Sequence, residues 1–155
     1  MRAEPFTPDM IDLLRLFERH RVRYLLIGGY AVHFHGHVRF TADIDFAYDP
    51  EPANSARLFD ALREFWGGDI PHVADPSELS QPGMVFQFGV KPNRVDLLSQ
   101  VAGVDFPEAW ARRLEEQIEG LDVAVSIISL RDLRASKAAA GRFKDLDDLL
   151  NLPEG

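Results

Sequence analysis

The stretch Tyr24–Asp49, YLLIGGYAVHFHGHVRFTADIDFAYD, decides the fold. Tyr24 to Ile27 is an apolar run of the length expected for a buried strand, and Val22 to Ile27 is its widest reading. Gly28-Gly29 follows at once, permitting a tight turn at the start of a short helix where backbone can approach a ligand closely. A second strand then carries Asp43-Ile44-Asp45-Phe46. Strand alternation puts both aspartates on one face and both apolar residues on the other. Two like charges so placed repel unless a cation lies between them, so the pattern asks for a metal.

Upstream, Thr7-Pro8-Asp9 is a helix start: a capping hydroxyl, a proline at the first helical position and an acid at the positive end of the dipole. Ile11, Leu13, Leu14, Leu16 and Phe17 form its apolar stripe. Downstream, Asp49-Pro50-Glu51-Pro52 breaks the pattern. Leu58, Leu62, Phe65 and Trp66 then recur at helical spacing until Gly67-Gly68 ends that helix. Residues 69 to 83 read as a loop holding at most a short strand or helical turn. Met84–Val90 and Arg94–Ser99 form a hairpin across Lys91-Pro92-Asn93, with Arg94, Asp96 and Leu98 on one face of its second strand. The remaining expectations are a helix over Phe106–Ile118, a strand over Leu121–Ile128, and a helix from Ser129 to Ala140 opening on a Ser129/Asp132 capping box. A last helix, Phe143–Leu152, is expected to turn Leu146, Leu149 and Leu150 inward.

The 155 residues, 46% of them apolar, fit one domain spanning 1–155, with no repeat, low-complexity tract or linker. The absence of cysteine removes disulfides and thiolate metal sites. No signal-like apolar region opens the sequence and no run approaches ~18 apolar residues, so the expectation is a soluble cytoplasmic protein without a membrane partner. The net charge of −8 opposes nucleic-acid binding through the whole-molecule field and leaves only local recognition by a basic patch.

Asp43, Asp45 and Asp96 together suit two Mg²⁺ ions, which favour carboxylate and phosphate oxygens and can serve an in-line displacement at phosphorus. Glycine N–H groups beside them could hold leaving phosphates. Simpler roles stand beside these: Arg94 or Arg39 as ion-pair partner of Asp96, Lys137 as a helical lysine lying over apolar surface, and Arg142 and Lys144 paired with Asp145, Asp147 or Asp148. If Arg142 and Lys144 line the cleft instead, they are the local nucleic-acid contact. His33 and His37, at i and i+4, offer only a weak zinc signal without a nearby acid, and His35 is the histidine closest to the site.

GGYAVHFHGHVRFTADIDF, then RVDLL about fifty residues on, resembles the nucleotidyltransferase superfamily that shares the DNA polymerase β palm. His35-Gly36, Arg39-x-Thr41, Asp43-Ile44-Asp45 and the tail KAAAGRFKDLDDL are similar to the branch containing AbiEii-type toxins and related small proteins. The resemblance implies a mixed α/β (α+β) fold, a mixed sheet flanked by helices. It implies that Asp43, Asp45 and Asp96 are catalytic and bind two Mg²⁺ ions. Gly28, Gly29, Arg39, Thr41 and Lys137 would meet the nucleotide. The implied reaction transfers NMP from a nucleoside triphosphate to an acceptor hydroxyl, with RNA a candidate acceptor and a cognate antitoxin a candidate partner. Departures from the pattern are Gly29, where the superfamily usually has serine, and the lack of the large helical region by which longer toxins hold an acceptor. Aminoglycoside-type modification and an inert nucleotide- or partner-binding module are the competing readings.

Overall fold

The computed structural model describes residues 1–4 and 6–155. Helix α1 (Pro8–Arg19) starts where Thr7 Oγ1 accepts from the Met10 N–H at 3.3 Å. It buries Met10, Leu13, Leu14 and Phe17, while Ile11 and Leu16 stay at the edge of that stripe. Strand β1 (Tyr24–Ile27) is buried along its whole length and runs straight into α2 (Gly28–Phe34). Strand β2 (Asp43–Tyr48) follows, and Ile44 and Phe46 are fully buried. The Phe46 ring meets Phe17 of α1 edge-on at 5.3 Å and Tyr24 of β1 at 5.4 Å. That packing turns Asp43 and Asp45 to the opposite face.

Helix α3 (Pro52–Trp66) packs on α1 and stops at Gly67, whose φ of 68° supplies the left-handed cap. The following segment holds only an Ile70–Val73 bridge and a 3₁₀ turn at Pro76–Ser80, as the composition implied. Strands β3 (Val85–Phe88) and β4 (Arg94–Leu98) form the expected hairpin. Val95 and Leu97 of β4 are buried, leaving Arg94, Asp96 and Leu98 on the face of the β2 aspartates.

The helix expected over Phe106–Ile118 is shorter. Helix α4 covers Phe106–Ala111, and Leu114–Gln117 is strand β5, paired antiparallel with β6 (Ala124–Ile127). The helix breaks where Arg112 leaves to form a two-pronged ion pair with Asp132 (2.8 and 3.0 Å) and Arg113 lies over the Trp110 ring at 3.7 Å. Leu-Glu-Glu-Gln favours helix by propensity, but its backbone is drawn into a sheet edge. Its exposed Glu115 and Gln117 suit an edge strand that must not recruit further strands. Helix α5 (Leu130–Ala140) begins with Ser129 Oγ accepting from the Asp132 N–H and ends at Gly141, followed by α6 (Phe143–Asn151).

The sheet has six strands in the order β3-β4-β2-β1-β6-β5, with β2/β4 and β1/β6 parallel and the other pairs antiparallel. It is a mixed sheet flanked by helices. Among the described residues no helix is long and apolar enough to cross a membrane.

Candidate active site

Register brings the acids together. In the parallel β2/β4 pairing Asp45 stands opposite Asp96, and Asp43 opposite Arg94. On the other side of β2, Asp45 pairs with Ile27, the residue before the glycine turn. Gly28 has φ +65°, and a Cβ there would collide with the Asp45 carboxylate. A Cβ on Gly29 would stand 2.7 Å from Thr41 Oγ1 and 3.3 Å from Arg39 Nη1. Thr41 in turn donates to the Asp43 carbonyl at 3.0 Å. The two glycines are therefore required by close packing against the aspartate strand and the segment leading into it.

These residues form one wall of a cleft of about 410 Å³. Gly28, Asp43, Asp45 and Asp96 lie on one side, and Lys137, Arg142 and Lys144 lie on the other. Burial, the hydrogen bond to Asp96 and the charges of Asp96 and Asp43 push the Asp45 carboxyl up to about 7, with Lys144 acting weakly in the opposite direction. Asp43 Oδ1 is buried and, among the described residues, takes part in no hydrogen bond. Arg94 Nε lies 3.7 Å from that oxygen and 3.5 Å from Asp96 Oδ1, a cation set between two carboxylates. Asp43, Asp45 and Asp96 are hard oxygen donors, and one buried oxygen among them, Asp43 Oδ1, has no hydrogen-bond partner among the described residues. They are the residues that could hold a divalent cation. Among the described residues, the acidic and histidine trio with ligand atoms within 4.8 Å of one another is a different one, His37, Asp147 and Asp148.

The opposite wall is built around two buried aspartates of α6. The expectation that Leu146, Leu149 and Leu150 face inward is corrected: Leu146 and Leu150 are exposed and Leu149 is half-buried, while Asp145 and Asp148 are 1% exposed. Lys137 Nζ, itself buried, lies 3.0 Å from Asp148 Oδ2 and 3.3 Å from Asp145 Oδ1. Arg39 grips Asp148 with two prongs, Nε at 2.8 Å and Nη2 at 3.0 Å. Arg142 Nε donates to Asp145 Oδ2 at 2.6 Å. Burial alone would raise both carboxyls. Hydrogen bonds from Arg142 and Lys137 at Asp145, and from Arg39 and Lys137 at Asp148, outweigh it and hold both below the ordinary carboxylate range. Lys137, Arg39 and Arg142 thus surround the two buried anions, and Lys137 and Arg142 also line the cleft.

All eight residues picked from the sequence thus fall in or beside one region: Asp43, Asp45, Asp96, Gly28 and Lys137 line the cleft, and Gly29, Thr41 and Arg39 pack beneath or behind it. Asp145, Asp148 and the bridging Arg94 were not read as members of the site. Their signal lay in the tail, where Asp145 and Asp148 are i, i+3 on the helix face opposite Phe143, Leu146 and Leu150. His35 is structural, its Nε2 donating to the Ile128 carbonyl at 2.8 Å. His37 lies beyond the end of α2 and so does not share a helix with His33.

No curated protein matches the chain by sequence. A family model described as a nucleotidyltransferase of unknown function (DUF6036) matches residues 10–152, the span that holds every residue of the cleft. The match covers most of the chain, and the chain belongs to this nucleotidyltransferase family.

Proposed function

We propose that the protein transfers NMP from a nucleoside triphosphate to an acceptor hydroxyl, with Asp43, Asp45 and Asp96 holding Mg²⁺. The observation that carries this is the Asp45–Asp96 register beneath the glycine turn, opposite Lys137, Arg142 and Lys144. Carboxylates crowded until Asp45 titrates near 7 form a set of charges that a divalent cation would relieve. When bound, Mg²⁺ would supply charge neutralisation on the phosphates and polarise their oxygens. Gly28 and Gly29 allow the triphosphate to approach the backbone closely, and the cationic wall orients it. The acceptor oxygen bonds to the α-phosphorus, the bond from that phosphorus to the β-phosphate oxygen breaks, and pyrophosphate leaves. The hydroxyl proton passes to Asp96, beside Asp45 on the strand face.

The likeness to AbiEii-type toxins supports a toxin-like role with RNA as acceptor, and Arg142 and Lys144 are its local contacts. Expression should then arrest growth, Asp43→Ala should abolish the arrest, and an antitoxin-like gene should lie adjacent. A binding module without turnover is the second reading. One observation favours it: Arg94 is already set between Asp43 and Asp96, and Lys137 is already engaged by two aspartates.

Thermal unfolding with Mg²⁺ and each ribonucleotide, on wild type and on Asp43→Asn/Asp45→Asn, tests the proposal. Ligand at ~100 times its Kd stabilises by about 2.7 kcal/mol, roughly 5–10 °C for a chain of this size. A Mg²⁺-dependent shift absent from the double variant, followed by transfer of an α-phosphate label to RNA, supports the transferase. A shift without transfer to any acceptor favours the module. No shift with any nucleotide refutes the transferase and leaves a partner-binding module.

A further inference from the structure

Along one row of the sheet the cleft changes from charged to neutral. Register sets Ile27, Asp45, Asp96 and Gln87 side by side across β1, β2, β4 and β3, so their side chains share the cleft face. The glycine turn lies at the β1 end of this row. At the other end stands Gln87, one strand spacing of roughly 4.8 Å beyond Asp96. The next row pairs Leu98 with Val85, again on the cleft face, and Gln100 and Val101 extend this wall past the end of β4. Gln87 and Gln100 are exposed, and neither carboxamide makes a hydrogen bond among the described residues. Val85 is exposed as well, and Leu98 is half-buried. None of these five residues is charged, whereas Lys137, Arg142 and Lys144 form the opposite wall.

We propose that Val85, Gln87, Leu98 and Gln100 form the acceptor subsite, and that it takes an uncharged nucleoside, the terminal one of an RNA acceptor. This rests on the transferase reading. In-line displacement puts the attacking and leaving oxygens on opposite sides of the phosphorus. With the triphosphate over Gly28 and the acceptor proton bound for Asp96, the acceptor enters from the β3 side. Strand β3 is the outermost of the sheet, so a long acceptor can leave the cleft there without crossing another strand. The chemistry of the subsite selects the ligand. Val85 and Leu98 offer an apolar bed for one face of a base, and a carboxamide both donates and accepts, as the edge of a base requires. A polycationic acceptor needs carboxylates, and beyond Asp96 this side of the cleft has none. The ribose hydroxyl oxygen then bonds to the α-phosphorus, its proton passes to Asp96, and pyrophosphate leaves.

NMR of the isotope-labelled protein tests this, with the side-chain amide signals of Gln87 and Gln100 assigned through Gln87→Ala and Gln100→Ala. Mg²⁺ with the α,β-methylene analogue of each ribonucleoside triphosphate, which cannot transfer NMP, is added first. Adenosine, guanosine, cytidine or uridine follows. The analogue should move the backbone signals of Gly28 and Gly29 and leave both side-chain amides in place. At least one nucleoside should then move both amides, with a Kd on the order of 1 mM. Gln87→Ala should weaken that nucleoside about 3–10-fold, the worth of one uncharged hydrogen bond, and leave the response to the analogue intact. An analogue that moves no signal refutes the transferase reading, and the subsite falls with it. An analogue that moves Gly28, followed by nucleosides that move neither amide, overturns the subsite alone. An analogue that itself moves the Gln87 amide gives this wall to the donor nucleotide and overturns the acceptor assignment. Kanamycin moving both amides where no nucleoside does overturns the choice of ligand.

Discussion

Replacing Asp148 by Asn tests the claim that the cationic wall is organised from behind by buried carboxylates. The substitution preserves shape and removes one charge whose side chain is 1% exposed. It strips Arg39 of its counter-charge and at least one of its two prongs, and leaves Lys137 with Asp145 as its one carboxylate partner at 3.3 Å. Removing one partner of a buried pair costs about 3–5 kcal/mol. The lower end applies, near 3 kcal/mol, because the Arg39 side chain is 29% exposed and can regain water while Lys137 keeps a counter-ion. For a chain of this size that is a fall of roughly 6–12 °C in Tm. Asp60→Asn, exposed on α3, is the control and should stay within about 0.5 kcal/mol. The effect has a signed pH dependence. The folded state holds Asp148 below its ordinary 3.8, so its contribution is complete above that value and fades as pH falls through the depressed one. Urea unfolding of both proteins from pH 7 downward should show the gap narrowing in acid. A gap under about 1 kcal/mol at pH 7 would mean that these pairs behave as screened surface pairs, and the reasoning would fail.

Asp45 carries the opposite sign. Its carboxyl is raised from 3.8 to about 7 in the fold, so the folded state binds the extra proton and metal-free stability should decline as pH rises across that interval. Asp45→Asn should flatten this slope in chelator-containing buffer; an unchanged slope would remove Asp45 as its source. Gly28→Ala sets a Cβ at φ +65° against the Asp45 carboxylate and should cost about 2 kcal/mol or more, together with any nucleotide-induced thermal shift. Phe46→Ala empties a fully buried site between Phe17 and Tyr24 and should cost about 3–5 kcal/mol by denaturant unfolding, with a value below 1.5 showing that the sheet collapses to fill the space.

How much of this was legible in advance depends on the range of the interaction involved. Tyr24–Ile27, the glycine turn and the Asp-Ile-Asp-Phe alternation are local patterns, because a period of two and a pair of glycines dictate face and turn wherever the segment lies. Thr7, Gly67, Ser129 and Gly141 likewise start or end helices through bonds to backbone a few residues away. Leu114–Gln117 was misread because its strand state comes from pairing with Ala124–Ile127, which outweighs the helical propensity of two glutamates. Helix α6 was misread because leucines are ordinarily inside. Here Asp145 and Asp148 take the inner face only because Lys137 and Arg39, the latter 109 residues from Asp148, reach them there. The sequence by itself determined the strand–turn–strand unit and the residue types of the cleft. The tertiary structure alone decided that Asp96 stands beside Asp45, that Arg94 bridges Asp43 and Asp96, and that α6 turns its charges inward. Each of these depends on strand register or on the electrostatics of groups distant in the chain, and no local pattern encodes either.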